Sequence, residues 1–136
     1  MPYSLRFALL LVALSMVAAI ASGSVIYGQD YAQTRTTAEQ LTLGHVDAGK
    51  TAIGRYGCGA CHKIPGIRGA VGEVGPSLAG IATRSEIAGV LVNDPPNLIR
   101  WLRHPQQIVP GNGMPDQGIT DREARDIAAY LYTVRR

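Results

Sequence analysis

The sequence predicts an all-α protein in which a single N-terminal transmembrane helix precedes a small helical domain. Residues 7–29 contain no charged side chain. The remaining apolar residues recur at helical spacing, with no convincing strand-like alternation. The chain has only 136 residues, of which 16 are glycine and 6% are aromatic. A domain this small and this poor in large side chains cannot easily fill a stable core. We therefore expect it to enclose something other than its own side chains.

Composition and charge exclude two classes of protein. Charged residues are 17% of the chain and hydrophobic residues are 46%, which excludes a charge-rich disordered protein. The formal net charge is +3, with 13 Lys and Arg against 10 Asp and Glu. This excess is too dilute to indicate nucleic-acid binding, so we expect no nucleic-acid partner.

Residues 1–28 have two interpretations. As a cleaved secretory signal, Phe7–Ile20 has the right apolar length and Ala19–Ala21 resembles a cleavage site. As a retained anchor, residues 7–27 are long enough to cross a hydrocarbon core of about 30 Å. We favour the anchor, because uncharged sequence continues beyond the possible cut. A single-pass topology then keeps Arg6 in the cytoplasm and places the domain in the periplasm, whereas cleavage gives a soluble periplasmic domain.

Residues 29–45 are polar and rich in Thr and Gln, without a strong apolar period. This composition favours a tether or a loosely packed arm between the anchor and the domain. A docked helix through Thr37–Leu43 is the alternative.

Residues 46–136 form the predicted domain, which contains three helices. The first is expected over 47–56, with Asp47 as its N-cap. The second begins at Pro95-Pro96 behind a cap at Asp94 and ends before Pro105.

The third helix has the clearest sequence signals. Thr120 and Glu123 form a capping box. The apolar residues that follow recur at helical spacing, namely Ala124, Ile127, Ala128, Leu131 and Val134. Long glycine- and proline-bearing loops separate the helices at 65–80 and 105–118, and loops of this length in a small domain usually enclose a ligand.

Cys58-Gly59-Ala60-Cys61-His62 has the C-x-x-C-H spacing of covalent haem attachment. Two thiols separated by two residues reach the two vinyl groups of one porphyrin, and His62 is then placed under the iron. Three rival interpretations are weaker. A thioredoxin-type motif requires a preceding strand, zinc requires further ligands such as His45 and His104, and a short disulfide explains nothing else in the chain.

Met114 is the candidate for a second iron ligand. It is the only methionine outside the N-terminal segment, and it lies in the loop Pro110-Gly111-Asn112-Gly113-Met114-Pro115. A single methionine is commonly a core residue, but this neighbourhood is too polar and loop-like for a core. His104, at the end of the second helix, is the competing ligand.

These residues resemble the class I c-type cytochromes, which are small helical proteins wrapped around a covalent haem. The resemblance covers residues 46–134. It rests on the C-x-x-C-H motif, on Gly75-Pro76-Ser77-Leu78 with Arg84, on the Met114 loop and on 127–131. Residues 97–105 are similar to membrane-attached respiratory members, including the cytochrome domains fused to subunit II of haem–copper oxidases.

The resemblance implies a role for each matching residue. One haem c would be bound covalently through Cys58 and Cys61, with His62 as proximal and Met114 as distal iron ligand. The carbonyl of Pro76 would fix the His62 ring. Two further residues would line the haem, Arg84 at a propionate and Trp101 beside the ring. Gly49 and Tyr130 would let the terminal helices cross closely.

With His and Met as ligands the iron has no open site and a raised potential, so the resemblance implies an electron carrier and no enzyme of its own. The expected partners are a quinol-oxidising complex or dehydrogenase as donor and a terminal oxidase as acceptor. A resident subunit of an oxidase complex and a gas-binding or peroxidatic haem protein are the alternatives. The domain lacks the lysine ring of many soluble members. Its only lysines are Lys50 and Lys63, and the methionine loop carries Gln106, Gln107 and Asn112 instead. Docking is therefore expected to rely on an apolar rim, Ile64–Ile67, and on the membrane tether.

Overall fold

The computed structural model describes residues 2–135 and divides into two compact units that part between Thr34 and Arg35. The protein is mostly helical, as the sequence predicts. Helix α1 spans Tyr3–Thr42 and is the only regular element of the first unit. An 18-residue window of α1 has a mean hydropathy of 2.4 and no buried residue. By length and composition, this helix fits a membrane anchor or a signal sequence.

The second unit begins with the last turns of α1. These turns are packed against the domain, whereas the sequence predicts a loosely packed arm. Residues 35–42 are helical, and Ala38 and Thr42 are buried. The Glu39 carboxylate accepts a hydrogen bond from the backbone N–H of Val46 at 3.0 Å. The interpretation of 29–45 as a loose tether is therefore wrong for this part, and the docked-helix alternative is closer. The buried face of this segment consists of only Ala38 and Thr42, four residues apart, so the sequence shows no apolar pattern there.

Helix α2 spans Val46–Arg55 and begins one residue earlier than expected. His45 occupies the N-cap position, and its N–H donates to the buried Asp126 carboxylate at 2.7 Å. Asp47 is therefore not the cap. Its carboxylate instead pairs with the Arg35 guanidinium at 2.5 Å, and this hydrogen bond lowers the pKa of Asp47.

Helix α5 spans Asp121–Thr133 and forms the predicted capping box between Thr120 and Glu123. Its main partner in the fold is α2. The two helices cross at Gly49, where a Cβ would overlap the carbonyl oxygen of Asp126. The close crossing expected at Gly49 is confirmed, since only a residue without a side chain fits between these backbones.

Helix α3 spans Pro95–Arg103, and the Asp94 side chain accepts from the Asn97 N–H at 2.8 Å, as a cap does. Pro105 ends α3 and also begins a one-turn helix, α4, over Pro105–Ile108. Two further single turns of 3-10 helix cover Cys58–Ala60 and Ile81–Thr83.

A small hairpin was not expected from the sequence. Strand β1, Glu86–Ile87, pairs antiparallel with β2, Leu91–Val92. Ala88 and Gly89 in the connecting turn both have positive φ, 53° and 71°, as in a type I′ turn. Strands of two residues are too short to show period-two alternation, which explains why the sequence gives no signal for them.

Candidate haem-binding site

The two cysteines lie on the 3-10 turn that follows α2. Gly57, with φ of 64°, reverses the chain ahead of this turn. The N–H of His62 donates to the carbonyl of Cys58 at 3.0 Å, so the motif forms one hydrogen-bonded turn. Both cysteines are free; Cys58 is half-buried and Cys61 is exposed. Burial raises the pKa of the Cys58 thiol. This is opposite to the lowered pKa of a redox-active C-x-x-C thiol, which weighs against the thioredoxin-type interpretation.

The imidazole of His62 is held by the loop that follows it. Its Nδ1 lies 2.8 Å from the carbonyl oxygen of Pro76. A carbonyl can only accept, so Nδ1 carries the proton and Nε2 keeps its lone pair for a ligand bond. A Cβ at Gly75 would overlap the ring. The N–H of Gly75 also donates to the carbonyl of Cys61 at 2.8 Å, which fastens the loop to the cysteine turn.

Arg84 lies half-buried beside the same loop. Its guanidinium donates to the carbonyls of Ser77 and Ala79, the latter at 3.1 Å. The contacts in the structure therefore assign Arg84 to holding the segment after Pro76.

Asn93 is a supporting residue that the sequence analysis missed. Its side-chain amide donates to the carbonyls of Ile81 at 2.7 Å and Arg84 at 2.9 Å. It accepts from the Tyr132 hydroxyl at 3.2 Å. A lone asparagine between strand β2 and the N-cap of α3 gives no sequence signal for such a role.

Met114 lies in a loop that two side-chain amides hold in place. The Gln106 amide donates to the carbonyls of Asn112 at 2.9 Å and Met114 at 2.7 Å, and its oxygen accepts from the Gly111 N–H at 3.0 Å. The Asn112 side chain accepts from the Met114 N–H at 2.7 Å and donates to the carbonyls of Pro105 and Val109. Gln106 and Asn112, which the sequence analysis noted only as standing where other members carry lysines, are therefore part of the loop's internal structure. The sequence signal for this role was the concentration of Gln and Asn residues around the Pro110-Gly111 turn.

The expected apolar rim at 64–67 is only partly at the surface. Ile64 is 2% exposed and belongs to the core, so it is not a docking residue. The carbonyl of Pro65 accepts from the Tyr130 hydroxyl at 2.9 Å, which joins this loop to α5. Val71 and Val74 are the strongly exposed apolar residues of this loop, at 73% and 82%.

Three of the candidate residues pack against the same hydrophobic core. Cys58, Trp101 and Met114 are each partly buried and pack against it. Within residues 2–135 no hydrogen bond is found for the Trp101 indole. His104 is the C-cap of α3.

The donor set fits haem c and fits zinc poorly. Two free thiols, an imidazole with an available Nε2 and a thioether on a separate loop are the groups that a covalently bound, six-coordinate haem uses. In the described residues, no three His, Cys, Asp or Glu side chains are grouped as a metal site. Zinc, which needs such a group, is therefore disfavoured.

Comparison with known proteins agrees with this chemistry. The family model described as "Cytochrome c" matches residues 46–135. The chain is 33% identical over 100 residues to cytochrome c oxidase subunit 2 of Alkalihalophilus pseudofirmus, covering 71% of this chain and 28% of that protein. It is 32% identical over 88 residues to the same subunit of Bacillus sp. strain PS3, covering 62% of this chain and 25% of that protein. It is 36% identical over 91 residues to cytochrome c2 of Rhodopila globiformis, covering 57% of this chain and 83% of that protein.

These matches differ in how much of the relative they cover. The chain spans about a quarter of the length of the two oxidase subunits and most of the cytochrome c2. No solved structure matches the chain significantly. Because the family model covers well over half of the chain, the protein belongs to the cytochrome c family, which implies a covalent haem c and a function in electron transfer.

Proposed function

We propose that the protein is a membrane-tethered carrier of single electrons. It takes electrons from a quinol-oxidising complex or a dehydrogenase and delivers them to a terminal oxidase at the periplasmic face of the cytoplasmic membrane. The observation that carries this proposal is the apolar window of α1, which lies wholly ahead of the cytochrome c match at 46–135. A cytochrome domain that keeps such a helix stays at the membrane, where respiratory donors and acceptors are located.

In this proposal Cys58 and Cys61 hold the haem by thioether bonds, and His62 Nε2 and the Met114 sulfur are the axial ligands. When bound, haem c supplies a one-electron iron couple whose potential His/Met ligation raises. The carbonyl of Pro76 keeps the proton on His62 Nδ1, which fixes the tautomer and makes Nε2 a better donor.

The rest of the chain limits movement around the iron ligands. The amides of Gln106 and Asn112 hold the backbone of Met114, so the thioether is presented from a pre-formed loop. Arg84 holds the segment after Pro76. A metal site whose ligands stay in place on reduction and oxidation exchanges electrons with little structural change, which suits a carrier.

The tether compensates for weak electrostatic steering. The chain contains only two lysines, Lys50 and Lys63, and both are exposed. A neutral docking surface associates more slowly than a strongly charged one. Attachment to the same membrane as the partner raises the effective concentration to the millimolar range for short linkers, without any new contact.

Two measurements on the full chain test the proposal. Intact mass of the protein from washed membranes should equal the whole chain plus one haem, and the Cys58→Ser, Cys61→Ser variant should lack the haem increment. Stopped-flow oxidation of the reduced protein by a purified haem–copper oxidase in the same vesicles should be faster than oxidation of a form lacking residues 2–28. Loss of residues 1–21 from the isolated protein, or equal rates for both forms, would contradict the tethered role.

A resident subunit of an oxidase complex is the second candidate, favoured by the similarity to two proteins named cytochrome c oxidase subunit 2. Mild detergent extraction separates the two candidates. A carrier is recovered free of oxidase, whereas a resident subunit is recovered in fixed ratio with the oxidase subunits.

A further inference from the structure

A surface groove in the second unit lies among the end of α1, helix α3 and the start of α5. None of the residues proposed to hold the haem lines it, although His104, the competing ligand candidate, does. We call it the α3–α5 groove. Its walls include Leu41, Pro96, Ile99, Arg100, Arg103 and Arg125.

The groove carries an excess of positive charge. Asp121 is its single carboxylate, and it is shared: Arg103 Nη1 lies 3.2 Å from Oδ1, and Arg125 Nε lies 2.6 Å from Oδ2. Arg100 bonds only to the side chain of Asn97, at 3.1 Å, and has no carboxylate partner among residues 2–135. Three guanidinium groups therefore face one acid, which leaves two positive charges uncompensated.

One donor in the groove is shielded from water without a partner. The Nε of Arg103 is buried and makes no hydrogen bond in the described part of the chain. A shielded donor without an acceptor is costly, since it has lost its hydration and gained nothing in return. Guanidinium groups match carboxylates in geometry as well as in charge, and an anionic group bound in the groove would pair with the outer nitrogens of these arginines.

Apolar residues also line the groove. Leu41 is 59% exposed although it lies on the docked end of α1, and Pro96, another lining residue, is exposed as well. Ile99 contributes to the same surface while its side chain belongs to the core. A small inorganic anion would gain nothing from these residues. A peptide that combines carboxylates with a leucine-like side chain would use both the arginines and the apolar residues of the groove.

We propose that the α3–α5 groove docks an acidic segment of a partner protein. Carboxylates of that segment pair with Arg100 and Arg103, and a neighbouring apolar side chain packs against Leu41. This contact goes beyond electron transfer and uses none of the haem residues. It therefore stands whether the protein is a free carrier or a resident subunit.

The test uses the haem-loaded full chain in phosphatidylcholine nanodiscs. The probe is a dye-labelled peptide with the core Glu-Leu-Leu-Glu, and binding is followed by fluorescence anisotropy. We expect saturable binding that weakens with added salt, and a Kd that rises about threefold in Arg100→Gln, the size of effect typical of an exposed ion pair. Lys50→Gln removes the same charge outside the groove and should leave the Kd unchanged.

Three outcomes would overturn the proposal. The first is equal binding of a Lys-Leu-Leu-Lys peptide, and the second is equal weakening by Lys50→Gln. The third is displacement of the probe by soluble dihexanoyl phosphatidylglycerol at lower concentration than by the unlabelled acidic peptide, which would assign the groove to a lipid headgroup. Weakening by Leu41→Ser, a change at an exposed position, would support the apolar half of the contact.

Discussion

Replacing Gln106 by alanine should loosen the loop that carries Met114 while leaving the helical core in place. The Gln106 side chain makes three hydrogen bonds, two as donor to the carbonyls of Asn112 and Met114 and one as acceptor from Gly111. All three partners are backbone groups of the methionine loop. Of the two amides that hold the loop, only Gln106 bonds to both Asn112 and Met114 as well as to Gly111.

The expected size follows from these bonds. Each contributes about 1 kcal/mol net, which gives about 3 kcal/mol as the upper value. Gln106 is half-buried, so water replaces part of what is lost and about 2 kcal/mol is expected. At 1.4 kcal/mol per factor of ten, this raises the population of the open loop by about 30-fold.

The assay is a urea titration of the oxidised, haem-loaded protein followed by two signals. The weak far-red absorption band of a sulfur–iron bond reports Met114, and far-ultraviolet circular dichroism reports the helices. We expect Gln106→Ala to lower the midpoint of the far-red band more than the midpoint of the helical signal. Gln106→Glu keeps the acceptor for the Gly111 N–H. Its far-red midpoint should therefore lie between those of the unmutated protein and Gln106→Ala.

Gln107 provides the matched control, because it is the adjacent glutamine, is exposed, and its side chain makes no hydrogen bond within the described residues. Equal midpoints of the far-red band for Gln106→Ala and Gln107→Ala would refute the role of Gln106. Absence of the far-red band from the unmutated protein would refute Met114 as a ligand.

Three further predictions concern the packing of the second unit. Gly49→Ala should destabilise the fold by about 1–3 kcal/mol in urea unfolding because its Cβ overlaps the Asp126 carbonyl. Gly54→Ala, in the same helix but with open space around it, should stabilise by about 0.5–1 kcal/mol; destabilisation of equal size at both sites would contradict the crossing at Gly49. Hydrogen bonds from Thr120 and Tyr56 lower the pKa of Glu123 from 4.5 to about 2, so Glu123 contributes stability that is present above pH 4.5 and is lost as pH falls towards 2. Unfolding free energies measured between pH 5 and pH 2 should therefore fall less steeply in Glu123→Gln, and parallel curves would exclude this contribution. Asp126→Ala should cost about 1.5–3 kcal/mol, since it removes a charged acceptor for a backbone N–H, and Asp126→Asn should cost less; the two variants unfolding at the same urea concentration would show that this hydrogen bond is unimportant.

Much of the fold was predictable because its signals are local. The capping box of Thr120 and Glu123 and the cap at Asp94 each satisfy backbone groups within one helical turn, so sequence spacing alone identifies them. The C-x-x-C-H spacing is equally local, and the family match agrees with what it implies. By contrast, Asp47 was assigned as a cap because the sequence does not show that Arg35 reaches it from α1.

The sequence by itself determined the helical class, the apolar N-terminal helix and the membership of 46–135 in a haem-binding family, because these depend on composition, periodicity and spacing along the chain. Only the tertiary structure decided that 35–42 packs as a helix and that Ile64 is buried. It also decided that Gln106 holds the loop of Met114 and that three arginines line one groove in which Asp121 is the single carboxylate. These features depend on contacts between residues that are distant in the chain or that belong to irregular loops. Such contacts form only when the whole domain has folded, so no local pattern records them.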